Sequence, residues 1–201
     1  RSDVGLVLHL DLPSTPEGYL QQSGRAGRDG LPSDCVVWFS PGDRTKLGWA
    51  IKASNVQSKE GEATGLENSR FEIAQEQLRR MEAIAEGDSC LQQALLLAVG
   101  ELGAPCGKCD RCTSLTLPRD WSEKAMTLLA SLHDTRGVAI HSLVENLSKK
   151  LDKGEERWGW LARRLVQEEL IRESNDGSQK LFLCESGRYF LKEPWPLKYA
   201  G

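Results

Sequence analysis

The feature that most constrains this 201-residue chain is a run of cysteines, Cys90-x15-Cys106-x2-Cys109-x2-Cys112. A two-residue gap lets neighbouring thiolates turn back onto one ion. Two such gaps in succession, in the stretch PCGKCDRC, place three ligands, and Gly107 eases the tight turn between them. The long spacer lets Cys90, at a helix start, supply the fourth. Four thiolates suit a tetrahedral zinc ion with bonds of about 2.3 Å. An iron–sulfur cluster is also held by four cysteines, and the metal content of purified protein separates the two. Disulfides are disfavoured, because no basic-then-apolar leader opens the chain. A complete set of four thiolates leaves no open coordination position, so the metal is expected to be structural. Cys35 and Cys184 lie in apolar, strand-like runs and read as small buried hydrophobes. His9, His133 and His141 are scattered, and no thiolate needs replacing by any of them.

The elements around this cluster follow from periodicity and turn chemistry. GLVLHLDL (5–12) reads as a buried strand ended by Pro13. Thr15 is placed to N-cap a short helix that has Pro16 at its first position and carries Tyr19 to Gln22. CVVWF (35–39) is a second strand, bounded by Pro32-Ser33-Asp34 and Ser40-Pro41-Gly42-Asp43. Strand, helix, strand is the order of a parallel α/β unit. One such unit cannot cover both faces of a parallel sheet, and the chain begins with Arg1 rather than Met, so further strands are expected upstream. Residues 53–65 are polar and Gly/Ser-rich and read as a loop or linker. Residues 66–86 keep helical spacing through Phe71, Ala74, Leu78, Met81 and Ala85. Gly87-Asp88-Ser89 breaks that helix, and 90–102 forms the partner of a helical hairpin.

After Pro118 the pattern changes. An amphipathic helix over 121–132 is capped by Ser122 or Asp120, a short extended piece covers 137–139, and further helices span 140–147 and 155–170. The runs IRES and KLFLC then flank Asn175-Asp176-Gly177-Ser178, a hairpin signal. Three helices followed by a hairpin is the order of a winged helix. Trp158 and Trp160 are expected to pack in its core or rim rather than to meet a base. The chain holds no run of about 18 apolar residues. Its formal net charge of −3 does not by itself suggest a nucleic-acid partner. The stretch 149–164 is locally basic, however, with Lys149, Lys150, Lys153, Arg157, Arg163 and Arg164.

The stretch GRAGRDG (24–30) sets two arginines three apart on a backbone of small residues. With its lead-in, QQSGRAGRDG, it closely resembles the sixth helicase motif of superfamily 2 DNA helicases, in the form typical of the RecQ family. The order of that motif, then Cys90…Cys106-Gly107-Lys108-Cys109-Asp110-Arg111-Cys112, then a winged-helix pattern covers essentially the whole chain. The resemblance implies three segments: the end of a second RecA-like lobe (1–52), a zinc-binding helical subdomain (66–118) and a winged-helix DNA-binding domain (119–197). The fold class is thus an α/β lobe fragment, a zinc-bound helical hairpin and an α+β winged helix. It implies that Arg28 is an arginine finger towards ATP, with Arg25 a second phosphate or interlobe contact and Gln21 coupling the site to DNA. A planar, permanently charged fork suits the charge that develops on a γ-phosphate. The sequence departs from the family at Leu91, where an arginine often follows the first zinc cysteine, and at Ala98-Val99, where an aromatic pair often precedes Gly-Glu.

The chain has no G-x-x-x-x-G-K-[ST] phosphate loop and no Asp-Glu motif for Mg²⁺. ATP and Mg²⁺ are therefore expected to bind mainly to a lobe upstream, and these residues alone are not expected to hydrolyse ATP. The resemblance implies a parent that is an ATP-dependent helicase moving 3′ to 5′ on forked, repair or recombination DNA. It would work in the nucleoid or cytoplasm of a bacterium or the nucleus of a eukaryote. Lys149, Lys150, Lys153, Arg157, Arg163, Arg164 and, on the wing, Lys180 are the expected phosphate contacts, which position without reading sequence. The hairpin tip carries no aromatic side chain to stack on a terminal base pair. Two other readings stay open: a free-standing zinc and winged-helix DNA binder without motor activity, and a module whose zinc staples a protein-interaction surface.

Overall fold

The computed structural model describes residues 3–57, 65–133, 136–150 and 157–200, excepting the side chains of 54–57, 65–68 and 150. The chain divides into two compact units, Arg1–Ser114 and Leu115–Gly201.

In the first unit, β1 (Leu6–His9) and β2 (Asp34–Val37) pair in parallel, with Val7 opposite Cys35 and His9 opposite Val37. The helix between them, α1 (Pro16–Ser23), begins as its sequence predicts: Thr15 is extended and its Oγ1 accepts the Gly18 N–H at 2.9 Å. The strands are covered on one face only. Leu6, Leu8, Leu10, Val36 and Trp38 on the other face are exposed, which corrects the reading of 5–12 as a fully buried strand. Cys35 is likewise exposed rather than buried, its Sγ resting 3.6 Å from the Ser23 carbonyl at the open end of α1.

Ser40-Pro41-Gly42-Asp43 does more than end a strand. It starts α2 (Pro41–Gln57), so the loop expected over 53–65 is helical up to Gln57, and 58–64 lies outside the described residues. The start is a reciprocal cap. The Asp43 carboxylate accepts the Ser40 N–H at 2.8 Å, while Ser40 Oγ accepts the Gly42 N–H at 3.4 Å. Periodicity does not reveal this helix because its apolar positions are sparse, with Trp49 turned to solvent.

α3 (Gly65–Glu86) packs against α2 and α4 (Leu91–Ala98), and α1 packs on α3 and α4. The expected helix over 90–102 is shorter because Gly100 takes a positive φ of 83° and stops it. One core serves all these elements: Leu12, Leu78, Met81 and Leu95 are buried, with Tyr19, Leu20, Val37, Leu47 and Ile51 packed around them. An ion pair lies in the same interior, Arg44 to Glu82 at 2.8 Å, joining α2 to α3.

In the second unit, α6 (Ser122–Ala130), α7 (Ile140–Lys150) and α8 (Trp158–Gln167) stand against a three-stranded antiparallel sheet. Its order is β4 (Val138–Ala139), β6 (Lys180–Leu183), β5 (Ile171–Glu173). A four-residue helix in the first unit, α5 (Asp110–Thr113), and a short pair, β3 (Arg119–Asp120) with β7 (Lys198–Tyr199), complete the numbering together with α9 (Glu185–Lys192). Neither α9 nor the β3–β7 pair is legible in the sequence.

Ser122 is not a cap. It is the first helical residue of α6, its N–H is taken by Asp120 Oδ1 at 2.9 Å, and its Oγ accepts the Leu197 N–H at 2.9 Å. Trp158 is in the core with Leu161, Leu165, Leu181 and Phe190. Trp160 packs at the rim between Trp121 and Tyr199, with ring centroids 4.9 and 5.8 Å away, so both tryptophans are packing residues as expected. At the hairpin tip Gly177 and Gln179 have positive φ. The Asp176 carboxylate accepts from both the hydroxyl and the N–H of Ser178, and these bonds bring its pKa down to about 2.

A candidate zinc centre and an arginine turn

The four cysteines come together from two places. Cys90 stands immediately ahead of α4, and Cys106, Cys109 and Cys112 lie in and around α5. Their four Sγ atoms all lie within 4.8 Å of one another. Cys90 and Cys109 Sγ are 3.9 Å apart, close to the separation of about 3.8 Å that a tetrahedron with 2.3 Å bonds requires. That spacing fits one ion. A multi-iron cluster binds its thiolates to different iron atoms and needs them further apart.

The backbone prepares the sulfurs to be thiolates. Cys90 Sγ accepts the Cys106 N–H at 3.2 Å, Cys106 Sγ accepts the Cys109 N–H at 3.3 Å, and Cys109 Sγ accepts the Leu91 N–H at 3.4 Å. The Cys106 N–H, with that of Gln93, lowers the Cys90 pKa. Burial opposes ionisation of Cys109, but the N–H groups of Cys112 and Leu91 outweigh it and bring this thiol down to about 6. Cys112 is pushed the other way, to about 12, by burial and by the neighbouring sulfurs. The same crowding that raises Cys112 is what a dication would relieve. Gly107, with φ 70°, provides the left-handed turn inside the ligand loop. Arg111, which the sequence does not single out, donates from Nη2 to the Ala85 carbonyl at 2.8 Å and so pins this loop to the last turn of α3.

GRAGRDG forms a turn directly after α1. Gly24 N–H bonds to the Leu20 carbonyl, Arg25 N–H to that of Gln22, Ala26 N–H to that of Ser23, and Gly27 N–H to that of Val4 at 2.9 Å. Gly27 has a φ of 66°, and a β-carbon there would come within 2.7 Å of Ser33 Oγ. The glycines thus build a tight bend rather than a loose basic loop. Arg25, Arg28 and Gln21 are all exposed, and Arg28 Nε donates to the Gly24 carbonyl at 3.2 Å.

The basic residues of the second unit fare unequally. Lys149, Arg157 and Lys180 are exposed, and Lys149 pairs with Glu145 at 2.6 Å across one helical turn. Arg163 is half-buried. Arg164 is a correction: it is buried, bonded to Gln167 Oε1 at 2.8 Å and stacked 4.6 Å from the Tyr199 ring. Its place on the inner stripe of α8, three residues after Leu161, turns it to the core. The Lys150 side chain and Lys153 lie outside the described residues.

Residues 41–113 match the family model of the RecQ zinc-binding domain, and all four cysteines of the cluster fall within that span. The four-cysteine cluster and the helices around it are thus similar to the RecQ zinc-binding domain. Along its whole length the chain is 28% identical, over 225 residues, to the ATP-dependent DNA helicase RecQ of Haemophilus influenzae, and covers 34% of it. It is 28% identical over 213 residues to the RecQ helicase of Bacillus subtilis, with 96% of this chain and 34% of the relative aligned. The Arabidopsis thaliana ATP-dependent DNA helicase Q-like 2 is 34% identical over 75% of this chain and 20% of its own length. The chain is thus similar in sequence to RecQ helicases and spans about a third of the length of the bacterial relatives.

Proposed function

We propose that this chain is part of a RecQ-type ATP-dependent DNA helicase, in which it supplies an arginine finger, a structural zinc module and a duplex-binding winged helix. The observation that carries the reading is the pairing, within one compact unit, of a four-cysteine zinc centre with a glycine-built turn presenting Arg25 and Arg28. β1, α1 and β2 are read as the edge of a RecA-like lobe, whose uncovered apolar face suits continuation of an α/β layer. Three helices against the β4–β6–β5 sheet are read as the winged helix. ATP and Mg²⁺ would be held mainly by another lobe, and zinc by Cys90, Cys106, Cys109 and Cys112. Forked DNA is the substrate of this reading, with 3′ to 5′ movement, in repair or recombination. The reading places the work on chromosomal DNA, in a bacterial nucleoid or cytoplasm or a eukaryotic nucleus. Among the described residues no helix is long and apolar enough to cross a membrane.

In the intact helicase, Arg28→Ala is expected to lower DNA-stimulated ATP hydrolysis about 10³-fold while fork affinity stays unchanged. Arg28→Lys is expected to restore little, since an ammonium lacks the planar fork. Hydrolysis at the wild-type rate in either variant would exclude the finger.

Fork binding is tested separately on the 201-residue chain. Reversing Lys149 and Arg157 to glutamate is expected to weaken fork affinity and to flatten the dependence of log K on log salt by roughly 2 units, one for each phosphate no longer neutralised. The Lys149–Glu145 pair is exposed and gives way at little cost. Unchanged affinity and slope would move the DNA to another face.

A further inference from the structure

The arginine turn is held at two points, by the residues just before β1 and by a histidine of β1 that the sequence left unassigned. Strand register puts His9 on the covered face of the pair with Val7 and Val37, beneath α1. Its Nε2 lies 2.9 Å from Gln22 Oε1, and its ring centroid is 5.1 Å from that of Tyr19. Nδ1 is sealed from water and has no hydrogen-bond partner. A proton on Nδ1 would be a buried donor with nothing to bond, so the neutral ring carries its proton on Nε2 and donates to Gln22.

Gln22 then passes the constraint on. Its main-chain carbonyl accepts the Arg25 N–H at 3.2 Å, and the next carbonyl, of Ser23, accepts the Ala26 N–H at 3.0 Å. One residue later the Gly27 N–H returns to the Val4 carbonyl, just before β1. The strand and the residues leading into it therefore hold the turn at two points, through Val4 directly and through His9 by way of Gln22. We propose that His9 is a positioning residue for Arg25 and Arg28, acting through its Nε2–H bond to the Gln22 amide. The proposal rests on reading Arg28 as the finger. It adds that the finger's aim depends on a side chain in the strand beneath.

The test uses two substitutions with opposite expectations. His9→Phe keeps a ring against Tyr19 and removes the donor. His9→Gln places an amide N–H at about the reach of Nε2. In the 201-residue chain, ¹⁵N NMR of His9 is expected to show the Nε2–H tautomer. Amide exchange at Arg25, Ala26 and Gly27 is expected to rise about tenfold in His9→Phe, the worth of one hydrogen bond. It should return towards wild type in His9→Gln, while amides of α3 stay protected in both. Gln22→Ala should reproduce His9→Phe, and the double variant should be no worse than either.

In the intact helicase, kcat for ATP should fall about tenfold in His9→Phe with KM unchanged, because aim acts on the transition state, and His9→Gln should restore it. An Nδ1–H tautomer overturns the proposal. So does normal exchange and normal kcat in His9→Phe when Arg28→Ala abolishes hydrolysis. If Arg28→Ala itself leaves hydrolysis intact, the finger reading falls. The tautomer and exchange results then still decide whether His9 holds the turn.

Discussion

Replacing Cys109 with serine is expected to empty the purified protein of zinc and to unfold the segment around residues 90–113. A serine hydroxyl stays protonated near neutral pH and is a hard, weak donor, whereas Cys109 is already drawn down to about 6 by the N–H groups around it. The stakes are large because, among the described residues, little apolar core from this segment supports it. Among the described residues its buried apolar side chains are Leu12, Leu78, Met81 and Leu95, with Cys90 in the cysteine cluster. Of these, Leu95 alone belongs to the cysteine-bearing segment. Structural zinc sites supply roughly 10–16 kcal/mol of apparent binding energy in small modules, more than the net stability of a typical domain, about 5–15 kcal/mol. Zinc measured by elemental analysis should fall from one per chain to near zero, and limited proteolysis should open between Gly87 and Ser114. The second unit has its own core and should keep its thermal transition. Cys35→Ser is the matched control, since Cys35 is exposed and lies outside the cluster. Full zinc content and unchanged proteolysis in Cys109→Ser would remove that cysteine from the ligand set.

Gly187→Ala is expected to destabilise the second unit strongly. Gly187 sits in the first turn of α9, where the helix crosses the junction between α8 and β5. That junction is tightly made. Glu169 adopts a left-handed φ of 57°, Leu170 N–H returns to the Leu165 carbonyl, and Ser186 Oγ donates to the Glu169 carbonyl. The Leu170 carbonyl in turn accepts the Cys184 N–H. A β-carbon at 187 would run into that same carbonyl oxygen and come within 2.7 Å of Leu183 Cδ1. Backbone held by hydrogen bonds cannot step aside, so overpacking of about 3 kcal/mol or more outweighs the gain of about 1 kcal/mol for replacing a helical glycine. For a unit of this size that difference lowers the melting temperature by roughly 10 °C or more. Gly159→Ala in α8 gives the opposite expectation. Its new β-carbon would meet only Arg163 Nη1 at 3.5 Å and Val144 Cγ2 at 3.7 Å, ordinary contacts. It should be neutral or stabilising by about 0.5 kcal/mol. Equal melting temperatures for the two variants would mean that α9 has room to shift.

The chemistry of this protein is legible locally and its geometry is not. Four thiolates with fixed spacing specify an ion before any fold is known, because ligand type and reach are properties of neighbours in the chain. The Thr15-Pro16 helix start and the hairpin around Asp176-Gly177 are readable for the same reason, since caps and turns are set by a few consecutive residues. The α2 helix, by contrast, has few apolar positions, and its start depends on a serine and an aspartate exchanging bonds across three residues. α9 follows a strand with no loop between, so no turn residue announces it. Periodicity alone also cannot tell Arg164, on the buried stripe of α8, from Arg157 in solvent, because charge does not reveal which way a helix is rotated.

What the sequence determined by itself is the set of groups: a complete thiolate shell, two arginines on a glycine-rich bend, and a basic stretch near the third helix of the second unit. What only the tertiary structure decided is which of them are presented and what holds them there. It turned Arg164 inward, left Cys35 at the surface, seated His9 under Gln22 and brought the Leu170 carbonyl against Gly187. These are contacts between residues far apart in the chain, fixed by packing, and local sequence preferences carry no record of them.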